Sequence, residues 1–227
     1  MTAWSRYHHS SGFGIPSPFA YRFVRHVWRQ PLHYYAYEGL HQLLGTIKSG
    51  TSRAQRRSMD LIVEREARLL FRVTNFFNPR HILQVGAATG VESVAMLEVS
   101  RESRLYLLDP QLEQKALAVR VLQSQLDRVE CYDDSHVAVD EFLAASSCHD
   151  GGAMVLINVP IDPELLYRLV DGSAAVVMRN LGRDRAMRHL FETCCDHMAM
   201  GQTYSNGKIA ILVANSKLQR EHFDLWL

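Results

Sequence analysis

Ile82-Leu83-Gln84-Val85-Gly86-Ala87-Ala88-Thr89-Gly90 is the stretch whose reading decides the fold. A short apolar run enters a loop of small residues, and helical periodicity resumes over Glu92–Val99. Gly86 and Gly90 let backbone come close to a ligand, and Ala87 and Ala88 leave room for one. The loop follows a strand at its carboxyl end, where open α/β sheets bind ligands. Its Gly-x-x-x-Gly spacing is not the Gly-x-Gly-x-x-Gly of pyrophosphate binders, and no Lys-Ser/Thr follows as in a phosphate-binding loop. Such glycines also serve tight helix–strand packing, and on this motif alone both readings stand.

Downstream, short apolar runs alternate with amphipathic helices. The expected strands are His81–Val85, Leu105–Leu108, Val129–Tyr132, Met154–Ile157 and Ala174–Met178. Helical patterns lie at Leu112–Gln125, Val137–Ala145, Pro163–Val170 and Arg185–Met198. Strands separated by helices predict a parallel sheet covered on both faces. Gln202–Tyr204 and Lys208–Ala214 flank Ser205-Asn206-Gly207, a strong hairpin cue. The fold class is therefore α/β: a Rossmann-like, doubly wound, mostly parallel sheet ending in an antiparallel hairpin.

Upstream, the first fifteen or so residues are polar and Gly-rich and are expected to be loosely ordered unless docked. Ser17-Pro18 then reads as an N-cap and first helical position. Phe19, Phe23, Val24, Val27 and Trp28 form an apolar stripe, and Pro31 closes the helix. A second helix is expected from about His33 to Ile47, and Gly45 to Ser52 reads as a linker. One long helix is expected from Arg53 to Phe77, ended by Asn78-Pro79. This divides the chain into a helical extension or lid, 1–52, and a core domain, 53–227.

Composition narrows the function classes. A 47% hydrophobic, 22% charged chain of net charge +1 carries no bulk signature of nucleic-acid binding. Basic residues cluster at Arg53 to Arg57 and Arg183 to Arg188, and acidic ones at Asp133, Asp134, Asp140 and Glu141; each reads as a solvated face or loop. The four cysteines, Cys131, Cys148, Cys194 and Cys195, have neither zinc spacing nor a Cys-x-x-Cys pair. With no cleavable signal and no apolar run of roughly 20 residues, a cytoplasmic protein without a membrane span is expected.

The residues able to carry chemistry follow the strands. Asp109 ends the second strand about twenty residues beyond the glycine loop, where a carboxylate accepts hydrogen bonds from ribose hydroxyls; the competing reading is a strand-end turn before Pro110. Asp133-Asp134-Ser135 either reaches adenine or caps the next helix. His136 reads as a general base or a surface histidine. Cys194-Cys195 reads as helix packing with one thiol buried. Tyr34, Tyr35 and Tyr37 read as core packing or as a lid.

Ser11-Gly12-Phe13-Gly14-Ile15-Pro16-Ser17-Pro18-Phe19, the Tyr34-Tyr35-Ala36-Tyr37-Glu38 stretch and the strand–glycine-loop–helix core resemble a class I S-adenosylmethionine-dependent methyltransferase family common in Bacteroidetes. That family carries a Gly-Val-His-Ser-Pro-Phe type segment, whose His is replaced here by Pro16. The resemblance spans nearly the whole chain, including the closing hairpin and the Glu221 to Leu227 tail. It implies the cofactor S-adenosylmethionine, with Gln84, Gly86, Ala87, Ala88 and Gly90 near its methionine end. Asp109 would lie at the ribose, and Asp134 and Ser135 near adenine. The chain departs from the pattern at three strand ends. Gln84 stands where an acid is usual, Asn158 where the fourth strand normally ends in Asp, and Arg179-Asn180 where the fifth ends in Asp-Asp or Asp-Asn. In metal-dependent relatives those acids hold a divalent cation, which prefers anionic oxygen ligands; Arg179 would repel it, so no metal is expected.

Two functions follow. One is metal-independent methyl transfer to a small molecule, with Asn158 and Arg179 orienting the acceptor. The other is a non-catalytic protein of the same fold that binds a nucleoside ligand or a protein partner. The many apolar faces of the N-terminal helices further suggest a homodimer formed through them.

Overall fold

His81–Val85 (β1) is buried along its whole length, with successive side chains entering two different cores. In the computed structural model, which describes residues 15–112, 116–147 and 152–226, Ile82 joins a layer that includes Phe23, Leu70 and Met96. Leu83 and Val85 join Phe142, Leu165 and Leu169 on the opposite side. A strand covered on both faces has no solvent side, which is why this segment reads as a near-continuous apolar run.

β1 pairs in parallel with Arg104–Leu108 (β2) and Ala153–Ile157 (β4). Val129–Tyr132 (β3) lies outside β2, and Ala175–Met178 (β5) outside β4. Gln202–Ser205 (β6) and Ala210–Val213 (β7) form the expected hairpin, β7 running antiparallel to β5. The hairpin turn needs Gly207 at φ +79°, and Asn206 Oδ1 accepts from the Lys208 and Ile209 amides. The eight-stranded order is β3-β2-β1-β4-β5-β7-β6-β8. The last strand, Glu221–Asp224 (β8), runs parallel to β6 and was not expected from its polar sequence.

The chain moves outward from β1 to β3 and returns to place β4 on the other side of β1. The crevice at the carboxyl ends of β1 and β4 is therefore a topological switch point, the preferred ligand position in open α/β sheets.

The upstream helices are Pro18–Phe23 (α1), Ala36–Ser49 (α2), Arg53–Ser58 (α3) and Glu64–Phe77 (α4). Val91–Leu97 (α5) follows β1, and Ala116–Leu122 (α6) follows β2. Ser135–Ser147 (α7), Pro163–Gly172 (α8) and Arg185–His197 (α9) cover the other face. Ser17 caps α1 as expected, and a π-helical turn, Val24–Trp28, extends it.

Two upstream expectations are corrected. The expected linker is mostly helix: α2 runs on to Ser49 because Leu44 and Ile47 have a buried face to complete. The expected long helix is two helices, α3 and α4, separated at Met59–Val63. Asp60 sits there at φ +51°, a conformation that Asp tolerates better than most residues but that no helix continues through. Much of the apolar surface of the N-terminal helices packs inside the chain. Phe23, Val27 and Trp28 pack into the sheet core, and Leu40, Leu44 and Ile47 pack against Ala67 and Ala95. Trp28 Nε1 also donates to the Trp226 carbonyl, at 2.6 Å, tying the first helix to the last strand's exit. Among the described residues no helix is long and apolar enough to cross a membrane. The Ser11–Gly14 part of the N-terminal motif, the polar residues before it and Cys148 lie outside the described residues.

Candidate functional site

The loop after β1 is set by backbone bonds on both sides of the strand and by the side chain of Asp109. Gly86 N–H donates to Leu108 O at 2.8 Å, and Asn158 N–H donates to Val85 O at 2.9 Å, extending the ladders on both sides of β1. Gly86 takes φ +84°, and a Cβ there would stand 3.1 Å from a methyl of Val159. Ala88 adopts φ +46°, a strained setting for a residue with a Cβ. Asp109 Oδ2 accepts the Ala87 N–H at 2.7 Å, while Oδ1 accepts the Gln111 N–H at 3.0 Å. Charge-assisted bonds of this kind contribute about 1.5–3 kcal/mol each, so Asp109 organises the loop as well as facing the crevice. A carboxylate offers about four acceptor sites, and these amides take two of them.

These groups line a cavity of about 460 Å³ whose walls include Gly86, Asp109, Asp133, Ser135, Val159 and Ile161. That size suits a small organic ligand. Gly90, also at positive φ, faces elsewhere: a Cβ there would lie 3.1 Å from Ala118 O, so it serves packing of the loop against α6. Asp134 Oδ1 accepts from the His136 and Val137 amides and caps α7. Those amides hold its carboxyl below the usual carboxylate range. Ser135 and Asp133, its neighbours, are the ones at the cavity.

Gln84 is fully buried and satisfied at both amide ends. Its nitrogen donates to Gly86 O at 2.9 Å, and its oxygen accepts from the Ser93 hydroxyl at 2.7 Å. It braces the loop from behind, lying on the α5 side of the sheet.

On the other side of the switch point stands a charged cluster. Asn158 Nδ2 donates to Gly86 O at 2.7 Å, and Asn158 Oδ1 accepts from Arg179 Nη1 at 2.9 Å. The same Nη1 lies 2.6 Å from Glu92 Oε1 and 3.5 Å from Asp60 Oδ2. Asn180, in the left-handed region at φ +65°, donates to Asp60 at 2.7 Å and to Asn158 O at 3.0 Å. Glu92 has no solvent exposure and Arg179 only 2%. Burial lifts the Glu92 carboxyl above its ordinary value, against the opposing pull of the Arg179 charge; Asp60 and Glu66 nearby add to the rise.

Asn158 and Arg179, expected to orient an acceptor, bond to each other; that Glu92 and Asp60 complete the cluster went unforeseen. Asp60 was concealed inside a presumed continuous helix. Glu92 left one readable signal, an acid at the second position of a helix that otherwise buries this turn. The stretch Arg183 to Arg188 is also more than a solvated loop: Arg183 pairs with Asp60 at 3.4 Å and lines a second cavity beside Arg179.

The remaining candidates fall away from both cavities. Tyr34 and Tyr37 pack on Phe71, and Tyr35 donates to Glu98 O at the far end of α5. His136 is exposed. Cys194 is buried, its thiol pushed up to about 12 by burial, as packing predicts.

No protein-family model matches the chain, and no curated protein matches it in sequence. Solved structures do match in fold. A methyltransferase from Geobacter sulfurreducens aligns with TM-score 0.56 and 17% identity, covering 82% of this chain and 93% of that one. A methyltransferase from Podospora anserina bound to SAH aligns with TM-score 0.57 and 10% identity, covering 90% and 98%. An O-methyltransferase from Bacillus cereus in complex with SAH gives TM-score 0.53 and 13% identity, covering 81% and 92%. The chain has the class I methyltransferase fold.

Proposed function

We propose that this protein is an S-adenosylmethionine-dependent methyltransferase acting on a small molecule without a metal ion. The carrying observation is the cavity at the switch point, with Gly86 at its floor and Asp109, Asp133 and Ser135 on one wall. A Cβ at Gly86 would press on the methyls of Val159, which lines the same cavity. The SAH found in two fold neighbours fits such a cradle in kind: a ribose for Asp109, and an adenine for the Asp133–Ser135 turn. Bound there, the cofactor would supply an electrophilic methyl group. The chain's own part is positioning and water exclusion, which in-line transfer chiefly requires. Ala87 and Ala88 keep the loop thin, and Gln84 and Asn158 hold the Gly86 carbonyl from two sides. The N-terminal motif supports placement in the Bacteroidetes-type subfamily, and a cytoplasmic location is part of the same reading.

Calorimetric titration with S-adenosylmethionine and SAH tests it. Binding is expected in the wild type and is expected to vanish in Val159→Trp, which fills the cavity mouth from a half-exposed position. A folded wild type that takes up neither ligand at millimolar concentration removes the proposal.

A second reading, a non-catalytic binding protein, is favoured by one observation. Asn158 and the Nη1 end of Arg179 spend their hydrogen bonds inside the chain. Methyl-acceptor screening on a variant set proven to bind SAH separates the two.

A further inference from the structure

Among the described residues every side-chain hydrogen bond of Arg179 goes through Nη1. Nε is buried with no hydrogen-bond partner; Glu66 Oε2, the nearest carboxylate, is 4.0 Å away. Among the described residues no bond uses Nη2 either. The guanidinium is therefore clamped at one corner, with its Nε–Nη2 edge unbonded. That edge presents two parallel N–H groups at the spacing of a carboxylate or phosphate. A buried donor left unmatched is costly and calls for an explanation.

Arg179 and Glu66 both border a cavity of about 380 Å³ between the Met59–Val63 turn, the end of β5 and the β6–β7 turn. Arg65, Arg183 and Lys208 also line it, each from a different element. Asp60 faces Arg179 and Arg183, and Glu92 faces Arg179. Arg65 and Lys208 form no ion pair among the described residues and are exposed. Beyond Arg183 the surface continues through Arg185, Arg188 and His189, with Glu192 as the acid among them. Arg65, Arg183 and Lys208 outnumber Glu66, the carboxylate lining the cavity with them, and an anion seated among them relieves their mutual repulsion.

We propose that this cavity binds an oxyanion, a carboxylate or a phosphate, carried by the methyl acceptor. Arg65, Arg183 and Lys208 hold it, with the charge of the buried Arg179 beside them. The word acceptor rests on the methyl-transfer reading; the anion site rests on its own geometry. Asn158 joins the two cavities through its bonds to Gly86 and Arg179, so an acceptor held by its anion would have its remainder beside the glycine loop.

The test is calorimetry with inorganic phosphate and with benzoate, separately, on the full chain. Arg65→Ala/Lys208→Ala is expected to lose about tenfold in affinity. Arg53→Ala/Arg57→Ala, removing exposed cations on α3, is expected to bind as the wild type does. Glu66→Gln, which withdraws the acid nearest Nε, is expected to bind several-fold more tightly. Equal affinity in the Arg65/Lys208 pair and the wild type, or no uptake of either probe at tens of millimolar, overturns the site. SAH and methylthioadenosine, which lacks the amino-acid end, form the second arm. If the Arg65/Lys208 pair weakens SAH but spares methylthioadenosine, the anion is the cofactor's own carboxylate, and the assignment to the acceptor fails. Anion binding that behaves as expected in a protein that takes up no SAH supports the anion site and breaks the methyl-transfer reading instead.

Discussion

The cavity beside β2 and the cavity beside β5 flank the same asparagine, yet they are built in opposite ways. The first is shaped by backbone: a glycine at positive φ, small residues after it, and an aspartate whose carboxylate fastens two amides. The second is shaped by charge, with a buried guanidinium holding acids from two other elements. The backbone-built side is the one at which the proposed cofactor would sit. On the charge-built side the polar groups at the ends of β4 and β5 have turned inward toward one another. Where the resemblance leads one to expect acids at those strand ends, the region holds an internal cation whose counter-charges come from Asp60 and Glu92.

The largest expected effect comes from breaking the charged side. Arg179→Met leaves Glu92 buried without its cation and should cost about 3–5 kcal/mol in urea denaturation. Arg179→Met/Glu92→Met should recover most of that, because well-packed apolar pairs replace buried ion pairs at little cost. A single variant within about 1 kcal/mol of wild type would show the cluster to be incidental. On the backbone side, Gly86→Ala forces a Cβ toward Val159 in a left-handed conformation and should cost about 1–3 kcal/mol, with SAH affinity falling alongside. Unchanged melting and unchanged affinity would deny the loop its role.

Asp109→Asn should cost about 1–2 kcal/mol, since an amide has one acceptor oxygen where two backbone donors wait. Its effect on methylthioadenosine binding should exceed its effect on anion binding at the β5 cavity; the reverse ranking would merge the two sites. The smallest effect is a slope. Glu92, with its folded-state carboxyl above the ordinary value of 4.5, stays protonated while the unfolded chain ionises. Wild-type stability should then decline relative to Glu92→Gln as pH rises above that value, levelling off once the folded carboxyl ionises. A stability difference moving in favour of wild type over that rise would mean an ordinary, fully ionised pair.

Much of this architecture was readable before any coordinate. The apolar run at Ile82–Val85, the glycine loop, the alternation of strands and helices, and Asn206-Gly207 place the parallel sheet and its closing hairpin, because local periodicity and turn chemistry act over a few residues. The N-cap at Ser17 and the end of α4 at Asn78-Pro79 were legible for the same reason. β8 was not, since a four-residue polar-aromatic edge strand takes its conformation from β6. Nor was the break at Asp60, where apolar spacing continued through a turn that only packing of α4 against α5 requires.

The sequence by itself determined the sheet, the loop at Gly86 and the presence of Asp109 at a strand end. It also showed which acids were missing. Only the tertiary structure decided what took their place. Asp60, Glu92 and Arg179 stand far apart along the chain and have no shared periodicity; they meet because parallel strands bring their carboxyl ends to one edge of the sheet. There the Arg179 charge is stabilised by partners that no local pattern announces, beside a cavity whose other cations arrive from three further segments.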